Sequence, residues 1–383
     1  MKAVTIFENL HCIHANIENA DLFEGIWPIP DGVSLNSYIV QGEKTALIDL
    51  FKDWDNSREK MLSQISSLGL GLEDFDYLIL NHMEPDHTGW LEELKKANPH
   101  LEILCTKKAE KLVSAFYGID QGVRAVASGD RLDLGKGKSL VFYEIPNVHW
   151  PETMVTFEEQ TGTLFSCDAF GSFGSLPDRV FDDQLTEAEH EFFEKESLRY
   201  YANIVSTFSS FVLKAIDTLT GLDIKVVAPS HGIIWRSRPE EIIRRYGRYA
   251  SYMEGPAEKE ITLIWSSMYG NTEKLLDSVI RGVASKGVPL TIHRVPQEHA
   301  SYVLASAWKS SALIFGMPTY EYRMFPPMGF ILDIFDRSHV YHKKVFRFGS
   351  FGWSGGAQKQ FAELTAPLHW ECLEPVEWQG SPG

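Results

Sequence analysis

Short β-branched apolar runs alternate with stretches of helical period along nearly the whole chain, and this alternation constrains the fold more than any other feature. Runs at residues 45–50, 77–80, 103–105, 139–145, 164–166 and 224–228 read as buried strands of the first two-thirds. In the last third the alternation becomes regular. Strand signals at 261–265, 290–295, 312–315 and 345–348 are separated by helical signals from Thr272, near 299–309 and near 328–336. Strands alternating with helices pack as a doubly wound parallel sheet. Between the two regions lies 254–260, a polar stretch with Gly255 and Pro256, which has the composition of an inter-domain linker. The expected layout is a first domain over 1–253, a linker over 254–260 and a second domain over 261–383, since 383 residues exceed what one core usually organises.

The longest helical signal runs over 187–211, where Phe192, Phe193, Leu198, Tyr201, Ile204 and Phe208 form an apolar stripe that reads as core. With 52 acidic against 36 basic side chains the formal net charge is −16, which argues against nucleic acid and anionic membrane as partners. No apolar run approaches the length of a membrane span, and the amino terminus lacks the pattern of a signal peptide, so a cytoplasmic location is expected. The four cysteines, Cys12, Cys105, Cys167 and Cys372, never form a Cys-x-x-Cys pair, so neither a disulfide framework nor an iron–sulfur site is signalled.

Directly after the strand signal at 77–80 come His82, Glu84, Asp86 and His87, four possible metal ligands in six positions, with Pro85 stiffening the turn. Mixed imidazole and carboxylate donors shift preference from zinc toward iron or manganese. His149, Asp168 and His231 each follow a later apolar run and precede a turn. Singly, each reads as a hydrogen-bonded core histidine or a capping aspartate; with the earlier cluster they make a specific order. Asp49, at the end of a strand, reads equally as a turn residue or as a group orienting a ligand histidine. Trp150 is a candidate pocket wall, although core packing is the default for tryptophan. His11, Cys12 and His14 lie in an alternating strand that points successive side chains to opposite faces, so they read as structural.

The order His-x-Glu-x-Asp-His, then His, Asp and His, resembles the metallo-β-lactamase superfamily, with Glu84 where its binuclear zinc hydrolases carry a histidine. That exchange resembles the flavodiiron proteins, also called A-type flavoproteins, and the likeness covers essentially the whole chain. It implies an α/β and α+β architecture: a metallo-β-lactamase-like αββα sandwich followed by a flavodoxin-like doubly wound sheet. It also implies two bridged non-haem iron ions, with His82, Glu84 and His149 on one, Asp86, His87 and His231 on the other, and Asp168 between them. In some members of the family the histidine matching His87 turns away from the metal.

The second constellation begins at the strand 261–265, which runs into Ser267, Met268, Tyr269, Gly270, Asn271 and Thr272 before a helix expected over 273–286. A hydroxyl-rich turn at a helix start presents free N–H groups to an anion. The motif resembles the FMN phosphate loop of flavodoxins, with Met268 where a hydroxyl residue is common. Pro318, Thr319, Tyr320, Glu321 and Tyr322 follow one strand, and Ser350, Phe351, Gly352, Trp353, Ser354, Gly355 and Gly356 follow the next. Both loops lie at carboxyl ends of parallel strands, where open α/β sheets bind ligands. A strand signal at 376–378 is the last element before Gly383, whereas flavodoxin-like domains usually continue into a final helix.

The resemblance implies reduction of dioxygen to water, of nitric oxide to nitrous oxide, or both, in a head-to-tail homodimer or a dimer of dimers supplied by a rubredoxin-like protein or a reduced deazaflavin. Two alternatives predict otherwise. A hydrolase using a metal-bound hydroxide with a flavodoxin fused behind it needs no flavin, and Glu84 argues against it. A flavodoxin-type carrier with a docking domain shows no metal-dependent turnover.

Overall fold

A computed structural model of the chain describes residues 2–18 and 22–382, so Met1 and Gly383, the ends of the expected domains, lie outside the described residues. Two compact units are present: Met1–Tyr200 with Ser210–Gly247, and Tyr201–Ser209 with Arg248–Gly383.

In the first unit a seven-stranded sheet runs in the order Val4–Phe7, Leu10–Ile17, Val33–Gln41, Thr45–Ile48, Tyr77–Ile79, Glu102–Thr106, Val123–Val126. A five-stranded sheet follows the order Arg131–Gly135, Lys138–Glu144, Met154–Glu158, Thr163–Cys167, Val226–Pro229. One core joins their facing sides: Cys12, Tyr38, Ile48, Ile79 and Leu104 from the first sheet meet Leu140, Phe142, Met154, Phe165 and Val226 from the second. The parallel pairs Thr45–Ile48 with Tyr77–Ile79, and Thr163–Cys167 with Val226–Pro229, bring the carboxyl ends of adjacent strands to the same edge of each sheet. The expected strands are therefore present with ends shifted by a residue or two.

The stretch 187–211 is not one helix. An α-helix spans Glu187–Tyr200, a π turn Tyr201–Val205, a 3-10 turn Ser206–Phe208, and a second α-helix Ser209–Leu219. Hydroxyls explain the break: Ser206 Oγ donates to the Ala202 carbonyl at 2.7 Å, and Ser209 Oγ donates to that of Ser206 at 2.6 Å, offering the backbone partners outside the regular ladder.

The second unit holds a parallel sheet in the order Leu290–Arg294, Glu258–Trp265, Ser310–Gly316, Lys344–Phe351, Glu371–Cys372, with Val376–Gln379 also pairing with Lys344–Phe351. Leu263, Trp265, Ile314 and Phe348 pack on one side against Leu276, Val279 and Val283 of the helix Leu276–Ala284. The division falls at Gly247/Arg248 rather than at the 253/254 boundary read from composition, and the strand Glu258–Trp265 takes up residues 258–260 of the expected linker. Arg248 Nε and the Tyr252 hydroxyl both donate to Glu258 Oε1, at 2.7 and 2.6 Å, which attaches the polar stretch to the second sheet.

Candidate active site

All seven candidate ligands lie in segments that follow strands of the first unit. His82, Glu84, Asp86 and His87 follow Tyr77–Ile79, with Pro85 opening the short helix Pro85–Thr88. His149, Asp168 and His231 follow Lys138–Glu144, Thr163–Cys167 and Val226–Pro229. Six of them are buried, and Glu84 is half-buried.

Their donor atoms fall into two groups that share one carboxylate. Glu84 Oε2 lies 3.4 Å from His82 Nε2 and 3.0 Å from His149 Nε2, while Asp168 Oδ2 is 3.4 and 3.5 Å from the same nitrogens. On the other side Asp86 Oδ2 is 3.2 Å from His231 Nε2, and Asp168 Oδ1 is 3.1 Å from His87 Nε2 and 3.3 Å from His231 Nε2. His87 thus turns its Nε2 inward, with Nδ1 3.7 Å from the Cys167 sulfur. Asp86 Oδ1, Asp168 Oδ2 and His231 Nε2 are buried without a hydrogen-bond partner among the described residues. Buried polar atoms that crowd together yet stay unpaired are what a donor set for cations looks like, and the chemistry of this set suits two.

Outer contacts fix the rings. Glu152 Oε1 lies 2.8 Å from His82 Nδ1 and accepts from the Met83 N–H at 3.1 Å; the Ser34 carbonyl lies 3.0 Å from His231 Nδ1. The Tyr200 hydroxyl donates to Asp168 Oδ1 at 3.0 Å. Such partners set which ring nitrogen faces a metal. Asp49 turns the chain with φ 57° and accepts from the Asn81 backbone and side-chain N–H groups at 2.8 and 3.2 Å, so its bonds hold the residue before His82. Trp150 sets its ring edge-on to His82, centroids 5.0 Å apart. A cavity of about 280 Å³ reaches Glu84 and Asp86 and is walled by Phe23, Glu24, Lys52 and Trp54. Glu152, Tyr200 and Phe23 are not conspicuous in the sequence; only Glu152, in the same loop as His149, carries a usable signal. His11 lies 3.1 Å from the Thr5 hydroxyl and Cys12 is in the core, so this strand gathers no donor set among the described residues.

In the second unit a cavity of about 240 Å³ is lined by Ser267, Met268, Tyr269, Asn271, Pro318, Thr319, Ser350, Phe351, Gly352 and Trp353, joined by Gly380, which sequence reasoning missed. Gly270, Thr272, Tyr320, Glu321, Tyr322, Ser354, Gly355 and Gly356 are not in its wall. Thr272 instead sits 3.1 Å from the Ser350 hydroxyl, and the Gly270 N–H donates to Ser267 Oγ at 3.0 Å. The expected helix over 273–286 begins as a 3-10 turn, Glu273–Leu275, and becomes α-helical only over Leu276–Ala284, and Thr272 makes no side-chain capping bond. Tyr322 and Trp353 are exposed and meet edge to face at 6.1 Å. Exposed aromatics beside a largely apolar cavity that also carries Ser267, Asn271, Thr319 and Ser350 fit a planar ring with a polar tail.

The family model described as ODP family beta lactamase matches residues 33–232. The anaerobic nitric oxide reductase flavorubredoxin of Vibrio vulnificus is 32% identical over 360 residues, covering 92% of this chain and 71% of the relative. The flavorubredoxin of Aliivibrio salmonicida is 34% identical over 85% of this chain and 64% of its own length. Among solved structures, a histidine variant of the flavo di-iron protein from Thermotoga maritima has a TM-score of 0.90 at 30% identity, covering 99% of this chain and 94% of that one. The chain belongs to the flavodiiron protein family. Rubredoxin oxygen:oxidoreductase from Desulfovibrio gigas is similar across 100% of this chain and 94% of its own, with a TM-score of 0.93 at 28% identity.

As in other flavodiiron proteins, an αββα sandwich and a flavodoxin-like sheet share one chain. Before any metal binds, the electrostatics of the site follow from its geometry. Burial works to lower the His149 and His231 pKa values, but the close carboxylates of Asp168, and of Glu84 and Asp86 respectively, outweigh it and hold them at about 10 and about 9. Burial works to raise Asp168, yet His87, His149 and His231 hold it well below the usual carboxylate range. At pH 7 both rings therefore carry a proton that must leave before Nε2 can bind a cation. Metal loading at pH 7 is expected to release at least two protons per chain, from His149 and His231, and affinity is expected to rise as pH climbs toward 9 to 10. Titration calorimetry in buffers of different ionisation enthalpy measures the release; none at pH 7 would contradict this account of the site.

Proposed function

We propose that this flavodiiron protein is an oxidoreductase that reduces dioxygen to water, nitric oxide to nitrous oxide, or both, at a non-haem di-iron centre fed by FMN. One observation carries the reading: the two oxygens of Asp168 face separate histidine pairs, His87 with His231 and His82 with His149. When bound, the iron pair and FMN supply the electrons that turnover needs.

The residues supply the rest. By the same reading His82, Glu84 and His149 would hold one iron and Asp86, His87 and His231 the other, with Asp168 available to both. Glu152 and the Ser34 carbonyl keep His82 and His231 from rotating. The Phe23 and His231 rings are perpendicular with centroids 5.4 Å apart, and Phe23 and Trp54 give the cavity wall an apolar part along which a small uncharged gas enters at little desolvation cost. Both reductions consume protons. Glu24 is exposed as a residue, but partial desolvation of its carboxyl at the cavity wall, with Glu84 close by, pushes it up to about 7, so it can hold and pass a proton at neutral pH. In the second unit Ser267–Asn271, Pro318–Thr319 and Ser350–Trp353 are the FMN-binding segments, with Tyr320, Glu321 and Tyr322 and with Ser354, Gly355 and Gly356 continuing the two loops beside them.

By the same proposal the donor is a rubredoxin-like protein or a reduced deazaflavin, the assembly a head-to-tail homodimer or dimer of dimers, and the location the cytoplasm. The word rubredoxin in the names of several relatives supports the first donor. Among the described residues no helix is long and apolar enough to cross a membrane. The hydrolase alternative is disfavoured by Glu84 and by relatives named as reductases.

Chemically reduced protein mixed anaerobically with nitric oxide or dioxygen is expected to reoxidise its flavin promptly, and Glu84→Ala is expected to slow this about 100-fold or more. Slow reoxidation indifferent to Glu84→Ala would leave a simple electron carrier as the better description.

A further inference from the structure

Arg347 lies in the strand Lys344–Phe351, with its side chain only 2% exposed. Its Nη1 donates to Glu377 Oε1 at 2.8 Å and to Gln358 Oε1 at 3.3 Å, and Nη2 donates to the Met317 carbonyl at 3.5 Å. These three partners adjoin three different segments of the second unit's cavity. Met317 precedes Pro318 and Thr319, Gln358 lies in the first turn of the helix Ala357–Thr365 that follows the glycine loop, and Glu377 belongs to the strand Val376–Gln379 that leads to Gly380. Arg347 itself leads into Ser350, Phe351, Gly352 and Trp353.

We infer that the Arg347–Glu377 pair is a positioning device for FMN: one buried guanidinium holds the segments of the flavin cavity in their binding arrangement before the cofactor arrives. The inference rests on the flavin reading given above. Loops that must be ordered on binding subtract their ordering cost from affinity, whereas loops already fixed do not. A planar fork suits this task because it bonds several acceptors in set directions, and lysine cannot reproduce it. The competing explanation is that the pair only stabilises the sheet.

The test compares wild-type protein with Arg347→Met, Arg347→Lys and Glu377→Gln, each stripped of flavin and titrated with FMN by fluorescence quenching, beside thermal melts of the flavin-free proteins. The FMN dissociation constant is expected to rise about 30-fold in Arg347→Met and about 10-fold in Glu377→Gln, with Arg347→Lys between them, at unchanged iron content. Dissociation constants within about 2-fold of wild type, with lowered melting temperatures, would overturn the inference in favour of a sheet-stabilising pair. Should Arg347→Met fail to fold, Glu377→Gln decides, because its side chain is 26% exposed and the exchange preserves its shape. Failure of the wild-type protein itself to bind FMN would overturn the flavin reading and this inference together; wild-type binding with unaffected variants overturns the inference alone.

Discussion

Asp168→Asn is expected to leave no more than about one tightly held iron per chain and to slow gas-driven flavin reoxidation by about 10³-fold. The carboxylate serves both groups: Oδ1 is 3.1 Å from His87 Nε2 and 3.3 Å from His231 Nε2, and Oδ2 is 3.4 Å from His82 Nε2 and 3.5 Å from His149 Nε2. Asparagine matches its shape but has one acceptor oxygen and an amide nitrogen that offers only hydrogens, so one group loses its shared donor. It also removes a negative charge from the middle of four imidazoles, which lowers the attraction for any cation placed there. The near-isosteric exchange leaves the surrounding core intact, so a correctly folded protein is expected. Metal analysis gives iron per chain and stopped-flow absorbance gives the rate. Two firmly bound irons with wild-type turnover would remove Asp168 from the centre of the site.

Much of this site is legible in the sequence because metal-binding residue types are conspicuous at strand ends. His82, Glu84, Asp86 and His87 follow a short apolar run so closely that a buried donor cluster is the economical reading, and the structure brings them together with His149, Asp168 and His231. Residues whose role depends on three-dimensional approach are not legible. Tyr200 reaches Asp168 from the end of a helix whose break at Tyr201 depends on serine hydroxyls bonding back to carbonyls, which an apolar stripe does not reveal. Ser34 contributes a backbone carbonyl, which every residue possesses. Gly255 and Pro256 read as a linker by composition, yet the stretch belongs to the second unit, where Glu258 is tied to Arg248 and Tyr252 by side-chain bonds that composition does not encode. In the second unit the loops proposed to bind FMN follow from strand order, whereas Gly380 and Arg347 become visible only once Val376–Gln379 is paired beside Lys344–Phe351.

Gly349→Ala tests the second unit as Asp168→Asn tests the first. A methyl group at Gly349 would overlap the Met317 carbonyl oxygen and lie 2.8 Å from its carbonyl carbon. Both obstacles are backbone atoms, so no rotamer change relieves them, and the methyl has no torsion of its own to adjust. Relief requires the strand Lys344–Phe351 to part from the segment after Ser310–Gly316, which breaks the 3.0 Å bond from the Met317 N–H to the Phe348 carbonyl. That bond joins the two segments that carry Pro318, Thr319 and Ser350 into the second unit's cavity, the proposed FMN site. The exchange is expected to destabilise the second unit by about 3 kcal/mol and to cut FMN occupancy to about a tenth or less. Iron content is expected to stay at the wild-type level, because every candidate ligand lies in the first unit. Flavin absorbance set against iron analysis on the same sample separates the two effects: a variant with full flavin would show that these strands can part without disturbing the cofactor, and one that loses iron with its flavin would show that the two sites do not fold independently.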